Sequence, residues 1–335
     1  MRNTNKNRYK QQKKKQNILL ASVVGGAIVL SVILLLNADK KKNYDGTFHE
    51  SDQSDTITYG GKEYRYNEHL SNFLFLGVDT REKVSEYETG EETGRADVVF
   101  LLVYDRMERS LQTILIPRDT MTQIEVLNPL GDSLGLSEDH INLQYAMGDG
   151  KHTSCRLMKD AVSRLLFDIP IQGYCSMNMD GIVPLTDALG GVTVTVPDDS
   201  LAEVDPEFQA GAQVVIDGAN VENFVRYRDT DVSQSAMVRM NRQKVFLQEY
   251  TKKAREMAAQ DQSLITHLYE SVQDYLVSNI DVEYFARLLS ASSGDAAIIT
   301  IPGDGIAGEI YDEYHVDDDQ LYEMVIQIFY KEVQE

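Results

Sequence analysis

Cysteine and histidine are scarce: two cysteines, Cys155 and Cys175, and six scattered histidines among 335 residues. Two thiols whose spacing matches no zinc-ligand pattern exclude a zinc-finger or disulfide-built scaffold. No H-E-x-x-H and no G-x-S-x-G occurs, which leaves zinc-protease and serine-hydrolase chemistry without support. Internal repeats are also absent. Two glycine-rich loops imitate nucleotide motifs and fail on context. GDGIAG (303–308) spells G-x-G-x-x-G, but an acidic, turn-like stretch follows it where a helix and a strand are needed, so it reads as a surface turn. GDGKHTS (148–154) has Tyr145 where a phosphate loop needs its first glycine and His152 where it needs Ser or Thr.

What is present begins with an uncharged run of nineteen residues, ILLASVVGGAIVLSVILLL (18–36). About 20 apolar residues span a hydrocarbon core, whereas signal-peptide apolar regions run to about 7–15. With no A-x-A-like cleavage site after it, the run reads as a membrane-spanning helix. Seven Lys or Arg precede it and three follow, which places the N-terminus in the cytoplasm and the rest of the chain outside the cell membrane, crossed once. The basic tail thus has a topological explanation, and no nucleic-acid partner is expected. Residues 1–42 carry a net +9, which leaves −30 of the formal −21 for residues 43–335. A site for an anion on so acidic a body must be built locally, because distant charge is screened over about 8 Å.

The expected organisation is a cytoplasmic basic tail (1–17), the transmembrane helix (18–36), a polar linker with the start of a hairpin (37–61) and one extracytoplasmic domain (62–335). TITYGGKEYRYN reads as a hairpin around Gly60-Gly61. SNFLFLGVD, DVVFLLVYD and SLQTILIPRD read as strands buried on both faces, and SCRLMKDAVSRLLFDI as a helix leading to a strand at IPIQGYCSMNM. MDGIVPLTDALGG then VTVTVP repeats that alternation, so the fold class is α/β. A helix through VENFVRYR and a long one from about 238 to 259 follow; the remainder reads as helical with one strand at AAIITIP. Cys155 falls on a helix and Cys175 on the next strand, and either a disulfide or two buried thiols fits.

Polar signatures stand where the apolar strands end or begin: GVDTR (77–81), GRAD (94–97) and IPRDT (116–120). Strand ends are where α/β proteins place ligands. Asp79 and Asp97 suit Mg²⁺, which takes one or two carboxylates with water and phosphate oxygens; each alone equally suits a solvated loop. VRYR puts Arg226 and Arg228 on one side if extended, and Arg239, Arg242 and Gln243 share a face in the first turns of the long helix. Planar guanidinium forks beside helix N–H groups make a phosphate site.

GVDTR, GRAD, IPRD, DALGGVTVTVP, VRYRD and R-x-x-R-Q, in that order behind an N-terminal anchor, resemble the LytR-CpsA-Psr family over about residues 70–255. The resemblance implies a three-layer α/β/α domain with a central mixed sheet and an apolar pocket for a polyprenyl chain with a charged mouth. It implies a phosphotransferase that moves a glycopolymer, such as teichoic acid or capsule, from a polyprenyl-pyrophosphate carrier to peptidoglycan through a phosphodiester. Its metal-associated acids match Asp79 and Asp97, with Mg²⁺ or Mn²⁺ expected, and its catalytic set matches these with Arg118. Its pyrophosphate-binding positions match Arg95, Arg118, Arg226, Arg228, Arg239 and Gln243, with Arg81, Asp119 and Arg242 in supporting places. Ser235-Ala236 and Lys244 depart from the common G-D pair and second Gln, which bears on acceptor and polymer choice. A pyrophosphatase using water, or a non-catalytic envelope receptor or transcriptional attenuator, remains an alternative.

Overall fold

The computed structural model describes residues 56–81, 83–86, 93–128, 130–227, 229, 232, 235–258, 260–261, 263–280, 297–307 and 311–333. The apolar run 18–36 and Arg228 lie outside them. Among the described residues no helix is long and apolar enough to cross a membrane.

The chain opens with the hairpin β1 (Thr56–Tyr59) and β2 (Lys62–Tyr66), its turn at Gly60 and Gly61, both with positive φ. β3 (Leu70–Val78), β4 (Ala96–Asp105) and β5 (Ser110–Ile116) then form an antiparallel meander. Every residue of β3 and β4 is buried, the signature of strands covered on both faces. A hairpin, β6 (Met121–Leu127) and β7 (Ser133–His140), precedes the short helix α1 (Leu143–Ala146) and α2 (His152–Leu165). The GDGKHTS loop caps α2: Asp149 Oδ1 accepts from the amides of Lys151 (2.8 Å), Thr153 (3.0 Å) and Ser154 (3.2 Å). β8 (Gly173–Asn178) follows, then α3 (Ile182–Ala188), the pair β9 (Val192–Thr195) and β10 (Gln213–Ile216), and α4 (Val221–Arg226). The 24-residue α5 (Ser235–Ala258), α6 (Leu264–Val272) and β11 (Leu276–Ser278) come next. β12 (Ala297–Thr300), β13 (Gly303–Ala307), β14 (Asp312–Val316), α7 (Asp318–Phe329) and β15 (Tyr330–Glu332) close the chain.

The central sheet is mixed, in the order β11-β8-β3-β4-β5-β12, with β3 parallel to β8 and β5 parallel to β12. Side-chain alternation splits its core in two. Phe73, Phe75, Phe100 and Leu102 face a layer that includes Leu185 of α3, Phe224 of α4, Phe246 and Tyr250 of α5 and Leu268 of α6. Leu74, Leu76, Val99 and Leu101 face Met158 and Val162 of α2 and Val325 and Phe329 of α7. The sheet therefore lies between two helical layers. Cys155 belongs to the second cluster and Cys175 to the first, so the sheet separates them; both are buried free thiols.

Several local expectations change. GDGIAG is no turn: Gly303–Ala307 pairs along its length with Asp312–Val316. Its exposed, glycine-rich strand carries no apolar alternation and owes its order to Tyr314. That residue is 4% exposed, donates its amide to the Asp119 carbonyl (2.8 Å) and its hydroxyl to the Ile301 carbonyl (2.7 Å). The C-terminal third accordingly contains β11, β13, β14 and β15 beside the one anticipated strand. VRYR is not extended at its start, since Arg226 is the last residue of α4 and Tyr227 the residue that leaves the helix (φ −56°, ψ 135°). The long helix begins at Ser235, three residues earlier than its apolar spacing indicated. The β6–β7 hairpin had no clear apolar signal; only Ile124 in it is buried.

Candidate active site

The GVDTR and GRAD signatures meet at the β3–β4 end of the sheet. Their register shifts at Gly77/Val78, so Val78 pairs with Ala96 and Asp79 turns out of the ladder. The Asp79 amide donates to the Arg95 carbonyl (3.1 Å), and the Arg95 amide donates back to Asp79 Oδ1. Gly94 makes this exchange possible. Its φ is +73°, and a Cβ there would lie 2.5 Å from Thr80 Cγ2 and 2.9 Å from Asp79 Oδ1.

Asp97 is the second residue of β4, with a fully buried side chain. Arg118, leaving β5, donates from its Nη1 to Asp97 Oδ1 and from its Nε to Asp119 Oδ1 (2.9 Å). Arg239, 1% exposed on the second turn of α5, reaches Asp97 Oδ2 at 3.6 Å. Thus one buried carboxylate gathers two guanidinium groups from elements more than a hundred residues apart in sequence.

Arg226, 7% exposed, donates from Nη1 to Glu222 Oε2, one turn earlier in α4. The same oxygen accepts from Arg81 Nη2 (2.9 Å), whose Nη1 donates to Asp180 Oδ1 (2.9 Å). The Arg226 Nε is buried with no hydrogen-bond partner, a donor the protein leaves unused. Gln243 is buried and donates to the Val225 carbonyl (2.9 Å), which ties α5 to α4.

Arg242 departs from expectation. It is 1% exposed and turned away from Asp97, donating to the carbonyls of Phe224 (3.0 Å) and Tyr227 and to Ser200 Oγ, with Asp198 at 3.7 Å. A residue three after Arg239 lies 60° round the helix from it, and here that rotation is enough to make Arg242 a brace for the chain leaving α4. Arg95 contributes its backbone to the site, while its side chain is exposed.

Some of these groups border a pocket between β4–β5 and α5, while Asp79, Arg81, Glu222 and Arg226 lie outside its lining. Val98, Phe100, Leu115, Met240 and Leu247 line its interior, and Asp97, Arg118, Asp119, Arg239 and Gln243 its polar part. Gly305, Asp312, Glu313 and Tyr314 of the β13–β14 hairpin supply another wall. An apolar slot ending in arginines suits a ligand with an apolar tail and an anionic head.

The electrostatics separate the two aspartates. Burial first, and the Asp97 charge second, push the Asp79 carboxyl up to about 6, against the Arg95 amide and the Arg118 and Arg95 charges. Burial alone would lower the Arg118 guanidinium, but the carboxylates of Asp97 and Asp119 outweigh it and hold Arg118 above its ordinary range. Arg226 is lowered, by burial first, with Glu222 opposing and the Arg81 charge adding to the shift. Two neighbouring carboxylates, the charge of one, Asp79, disfavoured by burial, are a donor set that fits a hard divalent cation. Among the described residues no group of three or more His, Cys, Asp or Glu side chains that could hold a metal occurs, so two carboxylates are what these residues offer.

Sequence reasoning missed Glu222, Asp180 and the hairpin wall. The available signal for Glu222 was its place four residues before Arg226 on a helix. Nothing comparable marked Asp312–Tyr314.

Over residues 3–328 the chain matches the LytR_cpsA_psr family. It belongs to that family. Among its curated relatives, the polyisoprenyl-teichoic acid–peptidoglycan teichoic acid transferase TagU of Halalkalibacterium halodurans is 32% identical over 190 residues, 56% of this chain and 54% of that protein. The TagU of Bacillus cereus (strain ATCC 14579) is 29% identical over 238 residues, 70% of this chain and 69% of that protein. The chain thus spans about half the length of the first and about two thirds of the second. Among solved structures, Streptococcus agalactiae protein gbs0355 superposes with a TM-score of 0.62 at 22% identity, covering 79% of this chain and 90% of that one. TagT bound to LI-WTA gives 0.58 at 18% identity, covering 78% and 90%. These likenesses agree with the mixed-sheet α/β fold of this family member.

Proposed function

We propose that this LytR_cpsA_psr protein is a phosphotransferase that carries a glycopolymer from a polyprenyl-pyrophosphate donor to peptidoglycan, joined through a phosphodiester. The observation that carries the reading is the pocket: an apolar slot whose polar end gathers Arg118, Arg239 and Asp97. In this reading the apolar lining takes the polyprenyl chain and the arginines take its pyrophosphate. The names of the TagU relatives support the same donor and acceptor classes.

In this mechanism Arg118, Arg226 and Arg239 bind the non-bridging oxygens of the pyrophosphate and stabilise the charge that grows as the bond breaks. A peptidoglycan hydroxyl attacks the phosphorus nearer the glycan. Its oxygen–phosphorus bond forms as the bond to the bridging oxygen breaks, and polyprenyl phosphate leaves. Asp79 takes the hydroxyl proton, while Asp97, buried between Arg118 and Arg239, fixes both guanidinium groups. Mg²⁺, or Mn²⁺ in its place, would be held by Asp79 and Asp97 and would supply neutralisation of phosphate charge. Gln243 and Arg242 position the α4–α5 junction that presents Arg226. The apolar run 18–36 would anchor the protein in the cell membrane beside its lipid donor, with the N-terminus inside and this domain outside.

The test is product analysis with the full-length protein in detergent micelles, a synthetic polyprenyl-pyrophosphate glycan and Mg²⁺. Peptidoglycan oligomers gaining the phosphoglycan mass is the expected result. Free phosphoglycan alone, with acceptor present, would transfer the assignment to a pyrophosphatase.

A further inference from the structure

Every guanidinium with an assigned contact in the mouth already faces a carboxylate. For Arg118 and Arg239 it is Asp97, which also fixes their geometry and is fully buried. Glu222 differs. It is an acid in the first turn of α4, its side chain is 31% exposed, and one oxygen of it, Oε2, serves both Arg226 and Arg81. Arg226 is nearly buried, so its charge needs a partner when no ligand is present, and its Nε still points at nothing. A phosphate group offers what Glu222 offers, an anionic oxygen for a guanidinium fork, with more oxygens and more charge.

We propose that Glu222 is a resident competitor for Arg226: its carboxylate holds the arginine in place of ligand, and the second phosphate of a diphosphate must displace it. The proposal rests on the diphosphate reading of this mouth. A monophosphate seated between Arg118 and Arg239 leaves the Glu222–Arg226 pair closed, and neither gains from Arg226 nor meets the competing acid. A diphosphate carries a second phosphate that extends toward Arg226, which lies near enough for the Asp97 charge to act on it, and so meets the competing acid. When transfer breaks the diphosphate, Glu222 takes Arg226 back and the lipid monophosphate loses that contact. Glu222 is therefore a positioning residue for the donor's head group, not a participant in bond making.

The test titrates the full-length protein in detergent micelles with farnesyl diphosphate and, separately, farnesyl monophosphate, by calorimetry. Glu222→Gln keeps the hydrogen-bonding shape and removes the charge. It should bind the diphosphate about tenfold more tightly, roughly 1.4 kcal/mol, and the monophosphate within about twofold of wild type. Glu222→Asp, which withdraws the carboxylate by one methylene, should give a smaller gain confined to the diphosphate. A merely structural role would move both ligands together. Equal shifts for the two ligands, or a diphosphate affinity unchanged or weakened in both variants, would overturn the proposal while leaving the functional reading intact. Failure of the wild-type protein to bind farnesyl diphosphate would instead overturn that reading, and this proposal with it.

Discussion

Asp79 and Gly94 show how much of the site is decided by single positions. Asp79 is held ionised at neutral pH against burial and the Asp97 charge, so its carboxyl, raised to about 6, weakens the fold. The unfolded chain, with an ordinary carboxyl near 3.8, releases its proton first as pH rises, and stability falls between about 4 and 6. Asp79→Asn should therefore raise stability at pH 7.5 by about 1–2 kcal/mol, with the gain fading as pH drops toward 4; chemical denaturation across that range checks it. The same variant should lose transfer, a site that trades stability for function. Gly94→Ala should lose activity for the opposite reason. The new methyl meets Asp79 and Thr80, and the positive φ adds strain, at a combined cost of about 1–3 kcal/mol measurable by thermal melting beside the transfer rate. At this scale the sequence was legible where residue type dictates chemistry: Asp79, Asp97, Arg118 and Arg239 converge as the motifs indicated. Arg242 was not, because three residues of helix decide between facing a ligand and bracing a backbone, and spacing alone does not fix that rotation.

At the scale of elements, β3 and β4 were legible because a strand covered on both faces must be apolar throughout, and α2 because its apolar positions recur at helical spacing. The β13–β14 hairpin was hidden because part of its order comes from a contact far away in sequence, the Tyr314 amide on the Asp119 carbonyl, beside the local bond of Tyr314 to Ile301. That hairpin and α5 set the bore of the apolar slot. Met240→Trp, a larger side chain on the slot-facing side of α5, should raise KM for a long polyprenyl donor about tenfold, the scale of one well-placed apolar misfit. A farnesyl donor should be affected less. Comparing KM for the two chain lengths checks this, and equal effects on both would remove the tail from the slot. Gly303→Ala probes the other wall. A Cβ at that position lies 2.4 Å from the His315 carbonyl, so the substitution should loosen the hairpin and lower activity without touching any charged residue; melting temperature and transfer rate measured together check it.

For the molecule as a whole, an intensely acidic body draws Arg118, Arg226 and Arg239 from β5, α4 and α5 onto the carboxylates of Asp97 and Glu222, and the proposed anion site would be built there. Net charge gave no hint of where; the strand ends did. The most direct test of the account is the transfer rate per folded molecule for wild type and Arg118→Ala, with lipid-linked glycan, peptidoglycan oligomers and Mg²⁺, the folded fraction being measured by circular dichroism. The account predicts a fall of about 10² to 10³, the loss expected from removing one preorganised donor to a developing charge. A folded Arg118→Ala protein that transfers at the wild-type rate would contradict it.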